Sequence, residues 1–295
     1  MTGTVLILGS NGKIGHHSAK AFAAAGWVVR TYRRGTDMTA AAIGADVIVN
    51  GLNPPSYHNW AGLIPAITTQ VIAAAKASGA TVILPGNVYN FGDQGGVWSE
   101  TTPHRPVSRK GHIREAMEAR YRDSGVQTII LRAGNFIDPD GNDDIMQTFV
   151  LRSIARGRIT SGGAPDVMQA YCYVPDWARA AVQLAGKRDA LGRFEDVPFP
   201  GHSFTAYELR GRLQAMLGRP LKVTRFPWWI MRLAAPFWEL ARELNEMRYL
   251  WNTPHQLGGD RLAQLLPDFV ATPMDQVMMA ALPATMSQPR LVPAT

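Results

Sequence analysis

The chain has 295 residues, 46% of them hydrophobic and 18% charged, a globular balance that excludes disorder as the main state. Its one cysteine, Cys172, excludes an intrachain disulfide framework and a cysteine-rich zinc site. Thirty Lys+Arg against 23 Asp+Glu give a net charge of +7, which suits nucleic acid, a membrane surface or an anionic small molecule; composition alone does not choose among them.

No run of about 18 apolar residues occurs, and MTGTVLILGS has no basic stretch ahead of its apolar run. Neither a membrane span nor a secretory leader is expected, and the expected compartment is the cytoplasm. Val5–Leu8 is a short apolar run ending at glycine and reads as a buried strand. Alanine-rich Lys13–Gly26 reads as a helix stopped by Gly26. Strands are predicted at Trp27–Tyr32 and Asp46–Asn50, with a short helical piece between them. A helix is predicted from Trp60 to Ser78, ended by Gly79. Strands at Thr81–Leu84 and Gln127–Leu131 flank a helix from about Ser108 to Arg122. Apolar strands alternating with helices imply a parallel sheet covered on both faces, with right-handed crossovers, so the first half reads as a doubly wound α/β domain.

The pattern changes after about residue 135. IDPDGNDD reads as a loop, Asp144–Arg156 as a helix, Val167–Tyr173 as a strand and Pro175–Gly186 as a helix with Asp176 in its first turn. A strand near Arg193–Val197, a helix near Thr205–Leu217 and a strand near Leu221–Phe226 follow. Trp228–Leu250 is a long helical stretch interrupted by Pro236. Its apolar residues Ile230, Leu233, Phe237, Leu240, Ala241, Leu244, Met247 and Trp251 recur at helical spacing. The preferred reading is the core or lid of a small substrate domain; a subunit interface comes next, and a membrane-surface helix would look partly like this. The expected division is a dinucleotide domain over 1–190, with about 138–172 contributing to the substrate cleft, a smaller α/β substrate domain over 191–285, and a loose tail over 286–295.

The strongest signal is GSNGKIG, with Gly9, Gly12 and Gly15 between a predicted strand and a predicted helix. Gly9 permits the tight turn, Gly12 lets backbone approach a pyrophosphate, and Gly15 lets the helix pack close to the sheet. Gly9, Ser10, Asn11, Gly12, Lys13, Ile14 and Gly15 are therefore the expected phosphate cradle, at a helix N-terminus. The second strand ends in Arg30, Arg33 and Arg34, with no acid before Asp37. An acid there grips a ribose 2′-hydroxyl, whereas arginines suit a 2′-phosphate. NADP is expected over NAD.

GSNGKIG and later segments resemble the short-chain dehydrogenase/reductase superfamily, in its extended and atypical, NAD-dependent epimerase/dehydratase-like branches. VYNFGD (Val88 to Asp93) is similar to the family's VYG segment. SETTPHRP (Ser99 to Pro106), LRAGNF (Leu131 to Phe136) and YVPDWARAAVQLA (Tyr173 to Ala185) match further family segments in order, to about residue 190. The resemblance implies a Rossmann fold with a smaller C-terminal substrate domain. It implies hydride transfer on a small carbonyl, alcohol or sugar-type substrate. It also implies cofactor contacts at Asn50, Gly51, Leu52, Lys110, Ala133 and Asn135, and substrate contacts at Asn87, Tyr89, Tyr57 and Phe136. The family's Tyr-x-x-x-Lys is absent. Aligning its downstream glutamate with Glu118 puts Lys110 at the Tyr position and Arg114 at the Lys position; shifting the frame puts Lys110 at the Lys position and Pro106 at the Tyr position, and Pro85 replaces the Ser/Thr.

Lys110 is the first candidate to take over the chemistry, as a desolvated lysine beside Arg109 and Arg114; isoflavone-reductase-like members also use a lysine without the Tyr. Tyr89 is second, beyond a strand's carboxyl end, and Arg114 shares the face of Lys110. Lys110 as a mere ribose contact or surface residue, and Tyr89 as a packing residue, remain open. His104 and His112 are weaker candidates. His16 and His17 face phosphate or solvent, and Tyr57, His58 and Trp60 could line the substrate entrance. No metal site is expected. A sensor that kept the cofactor and lost catalysis, of the nitrogen-metabolite-repression type, is the alternative function. A small-molecule substrate is the expected partner, with nucleic acid and membrane not expected and a homodimer left open.

Overall fold

The chain alternates strand and helix through β1 (Thr4–Leu8), α1 (Lys13–Ala24), β2 (Val28–Thr31), α2 (Met38–Ala42), β3 (Val47–Asn50), α3 (Trp60–Ser78) and β4 (Thr81–Gly86). A short β5 (Gly96–Trp98) intervenes before α4 (Arg109–Asp123) and β6 (Thr128–Arg132). This computed structural model describes residues 2–141 and 144–283. Strand side chains point alternately to opposite faces. Val5 and Ile7 accordingly enter one core with Phe22 of α1, while Leu6 and Leu8 enter another with Trp60 and Val71 of α3. Both faces are covered, which is why the strands read as unbroken apolar runs.

The remaining elements are β7 (Asn135–Ile137), β8 (Arg158–Ser161), β9 (Gln169–Tyr173), α5 (Val174–Gly186), β10 (Phe194–Pro198), β11 (His202–Phe204) and α6 (Ala206–Leu217). After them come β12 (Lys222–Arg225), α7 (Trp228–Ala234), α8 (Glu239–Glu246), β13 (His255–Leu257), α9 (Asp260–Leu265) and α10 (Met274–Ala280). The main sheet is parallel, with six strands ordered β10-β6-β4-β3-β1-β2. β10 lies beyond the boundary expected at 190, yet pairs with β6 from Phe194 opposite Thr128 to Pro198 opposite Arg132. A third core, with Ile137, Met146, Phe204, Leu213 and Val277, unites β7–β9 with the C-terminal elements. The part of the molecule beyond the main sheet is thus assembled from both segments.

Two expected helices are corrected. In place of a helix over 144–156, Leu151 N reaches back five residues to Met146 O (2.7 Å), a π-type turn, and a single 3-10 turn covers Ile154–Arg156. In place of a long helix over 228–250, α7 stops before Pro236 and α8 starts with a new phase. The interruption resets which face is inward. Ala241 and Met247 are buried as expected, whereas Ile230, Leu233 and Phe237 are exposed. The expected loose tail lies outside the described residues.

Candidate active site

Chain order reverses between β1 and β3, and this is where open α/β sheets bind ligands. Gly9 ends β1 in a left-handed conformation (φ 74°), and a side chain there would also strike Gly51 O at the end of β3. A Cβ on Gly15 would stand 2.2 Å from Gly9 O, so the helix approaches the turn at a distance only glycine allows. Gly12 is the N-cap of α1 and supplies no side chain to cap it. A helix N-terminus of this kind presents backbone N–H groups to an anion. The cradle fits a pyrophosphate.

Beyond β2, Arg33 and Arg34 sit in an exposed turn closed by Thr36 Oγ1 on Arg33 O (2.7 Å) and Tyr32 Oη on Thr36 O (2.9 Å). Neither guanidinium makes an ion pair among the described residues. Arg30 does not join them; its Nη2 donates to Ile43 O (2.9 Å). Asp37, the nearest acid, caps α2 by accepting from Thr39 N and Ala40 N. Asn50 spends its side chain internally, accepting from Leu52 N (3.1 Å) and donating to Tyr121 Oη (3.2 Å).

His16 is half-exposed to solvent, as expected, whereas His17 faces neither phosphate nor solvent. His17 Nε2 lies 2.7 Å from Asp138 Oδ1 in a buried pair, and His16 and Lys20 meet Asp140. These contacts tie α1 to the loop after β7. Burial alone would raise the Asp138 carboxyl, but the His17 contact and the Asp140 amide hold it below the ordinary carboxylate range. Such a group contributes stability above its unfolded pKa of about 4 and loses it as pH falls through the lower folded value. Asp138→Asn is expected to cost about 1–2 kcal/mol at pH 7, a Tm drop of about 2–6 °C. The gap to wild type should close in acid; a gap independent of pH refutes the assignment.

At the carboxyl end of β4 two phenols meet. Tyr57 and Tyr89 share a hydrogen bond of 3.0 Å between their hydroxyls. Burial raises both pKa values, and the neighbouring Tyr57 pushes Tyr89 further. Both therefore stay protonated near neutral pH, which suits Tyr89 as a proton donor. Asn87 Oδ1 accepts from Tyr89 N (3.0 Å) and shapes its turn. The loop carrying Tyr57 holds Ser56, Tyr57 and Asn59 at positive φ (51°, 61° and 43°), conformations uncommon outside glycine that mark local strain. Trp60 is buried beneath this loop rather than at an entrance, and His58 pairs with Glu239 of α8 at 3.0 Å.

Lys110 corrects the expectation most sharply. Its neighbours are carboxylates, not arginines. The fully buried ammonium contacts Glu243 and lies 2.7 Å from Glu246 Oε2, both on α8, and its backbone N donates to Glu246 Oε1 (2.9 Å). Nζ also stands 5.1 Å above the Tyr57 ring. Lys110 thus clamps α8 to α4. Arg109 extends the clamp to Glu243 (3.0 Å). Arg114 is buried and donates to Pro85 O, while its Nε has no partner.

Sequence reasoning passed over the densest polar cluster. Arg132 at the end of β6 is wholly buried and binds Glu118 Oε2 (2.7 Å), Asp196 Oδ1 (3.1 Å) and Asn87 O (2.7 Å). It thereby braces the turn that presents Tyr89. The Glu118 alignment anchor and the LRAGNF motif were the available signals; nothing marked Asp196. His104, Glu118 and Asp196 have ligand atoms within 4.8 Å of one another, but Arg132 already neutralises the two acids. His104 is a half-buried ring against Phe91, its pKa lowered by burial and by Arg132. Ala133 is buried, and Asn135 and Phe136 are half-buried on β7. His112 lines an open groove of about 580 Å³ between α3 and α4, with Ile64, Ile113 and Met117. That groove lies on the helix faces, apart from the glycine turn.

No protein-family model and no curated protein matches the chain. Among solved structures it is similar to a putative epimerase from Burkholderia cenocepacia (19% identity, TM-score 0.74, covering 96% of this chain and 98% of that one). It is also similar to the UDP-glucuronic acid 4-epimerase of Bacillus cereus in complex with UDP-glucuronic acid and NAD (14%, TM-score 0.74, 94% and 97%). A third is WbmH of Bordetella bronchiseptica in complex with NAD+ (17%, TM-score 0.70, 96% and 97%). The chain therefore has the doubly wound α/β fold of these solved structures.

Proposed function

We propose that the protein is a nicotinamide-dinucleotide-dependent enzyme of the epimerase/dehydratase-like type, acting on a small carbonyl or alcohol or a sugar-type substrate. The observation that carries this reading is the glycine cradle at an uncapped helix N-terminus, set beside a protonated Tyr89 at the end of β4. The resident group would be held by Gly9–Gly15, with Arg114 Nε available to a ribose oxygen. When bound, it supplies or accepts a hydride at the substrate carbon. Tyr89 donates the proton to the carbonyl oxygen, and Tyr57 replenishes it through the shared hydrogen bond. In the reverse direction both protons retrace the path.

Arg33 and Arg34 favour NADP(H), because they are exposed and unpaired and Asp37 is committed to its cap. Titration should show NADP(H) bound about tenfold or more tighter than NAD(H). Arg33→Ala/Arg34→Ala should remove the preference without weakening NAD(H); tighter NAD(H) binding by the wild type sinks it. A second reading, a cofactor sensor without turnover, is favoured by the carboxylate clamp on Lys110. Reduced-cofactor consumption over a panel of aldehydes, ketones and nucleotide sugars separates the two. Tight binding with no turnover on any of them selects the sensor.

A further inference from the structure

Trp228 and Trp229 are neighbours with opposite fates. Trp228 is buried and its Nε1 donates to Gly162 O (2.5 Å), which fastens α7 to the body of the protein. Trp229 is 59% exposed and Leu233 69%. One turn on, Phe237 in the bend after Pro236 is 94% exposed, beside a half-exposed Trp238. Trp229, Ile230 and Leu233 share one face of α7 by their 3–4 residue spacing, so the apolar side chains form one outward patch that ends in a projecting bend. An outward cluster of this size needs a partner phase.

The unpaired charge around the patch has one sign. The acids of the α7–α8 segment all have partners: Glu239 meets His58 at the surface, and Glu243 and Glu246 meet Lys110. Arg225, at the end of β12, and Arg232, on α7, are exposed and make no ion pair among the described residues. Two aromatic types and leucine flanked by uncompensated arginines match the chemistry of an anionic phospholipid interface, where Trp and Phe enter the headgroup boundary and cations meet phosphate. No helix among the described residues is long and apolar enough to cross a membrane, so contact is peripheral.

We propose that the α7–α8 bend docks the protein on anionic phospholipid surfaces, with Trp229, Leu233 and Phe237 inserted and Arg225 and Arg232 over the headgroups. Such docking departs from the expectation of no membrane partner and is independent of the catalytic reading. The test is co-sedimentation of the full chain with vesicles of phosphatidylcholine alone and of phosphatidylcholine with phosphatidylglycerol. The wild type should bind the anionic vesicles, with a blue shift of tryptophan emission, and release as salt is raised. Trp229→Ser/Phe237→Ser should weaken that binding by about tenfold or more. Arg232→Glu should weaken binding to the anionic vesicles while leaving the weaker neutral binding unchanged. All these side chains are exposed, so unchanged circular dichroism and Tm serve as the folding control. Failure to bind anionic vesicles, equal binding by the double variant, or a wild-type dimer that the double variant converts to monomer overturns the proposal, the last assigning the patch to a second copy of the chain.

Discussion

Replacing Arg132 by Met should destabilise the protein by about 3–5 kcal/mol, because two carboxylates would be left in the interior without their cation. Arg132 is fully buried, Glu118 is 1% exposed and Asp196 12%. Against a total stability of order 5–15 kcal/mol, the loss should lower Tm by about 10 °C or more. The pH dependence has a definite sign. Burial already pushes the Asp196 carboxyl above its ordinary value, with Arg132 pulling the other way. Without Arg132 the upward push of burial and Glu118 is opposed only by the weaker pull of His104. A carboxyl with a raised folded pKa binds its proton more readily in the native state, so stability rises as pH falls from neutrality toward the unfolded value. The variant should therefore recover part of its deficit at mildly acid pH. Adding Glu118→Gln and Asp196→Asn should also recover much of it, since the uncompensated charges then disappear. A deficit unchanged by acid or by these partner substitutions would show that lost packing of the Arg132 side chain against Phe91 dominates.

The elements legible in the sequence were those with a local cause. α3 was delimited by its start at Trp60 and by Gly79, which adopts the left-handed conformation expected of a helix stop. β1, β3, β4 and β6 were read because strands covered on both faces are unbroken apolar runs. The cofactor cradle was read because its glycines carry steric requirements that few other patterns share. What was not legible depends on distant partners. β5 and β13 are three-residue strands that pair with each other, Gly96 opposite His255, and neither is long enough to show a period. The exposed side of α7 could not be told from a buried one, since periodicity marks a stripe without saying what faces it. Lys110 was placed correctly on α4, but its environment was inferred from Arg109 and Arg114 in the neighbouring sequence. The groups that surround it come from α8, far along the chain, and reverse the sign of the local charge.

That reversal separates the two residues expected to carry chemistry. Lys110→Met should behave as a structural lesion: Glu243, 3% exposed, and Glu246 lose their buried partner, at a cost of about 3–5 kcal/mol. The release should appear as protease sensitivity confined to the α7–α8 segment. Tyr89→Phe removes one hydroxyl from a ring whose packing against Trp60 remains. Its stability cost should be about 1 kcal/mol, the value of the hydrogen bond to Tyr57. If Tyr89 is the proton donor, the same change should lower kcat by about a hundredfold or more while cofactor affinity stays within a factor of about two. Both variants, measured for Tm, cofactor affinity and turnover on one substrate, give a crossed pattern in which stability follows Lys110 and rate follows Tyr89. The opposite pattern, a thermally intact Lys110→Met without turnover beside an active Tyr89→Phe, would return the chemistry to the lysine. It would also make Glu243 and Glu246 the groups that hold its ammonium in place, because no other carboxylate among the described residues contacts Nζ.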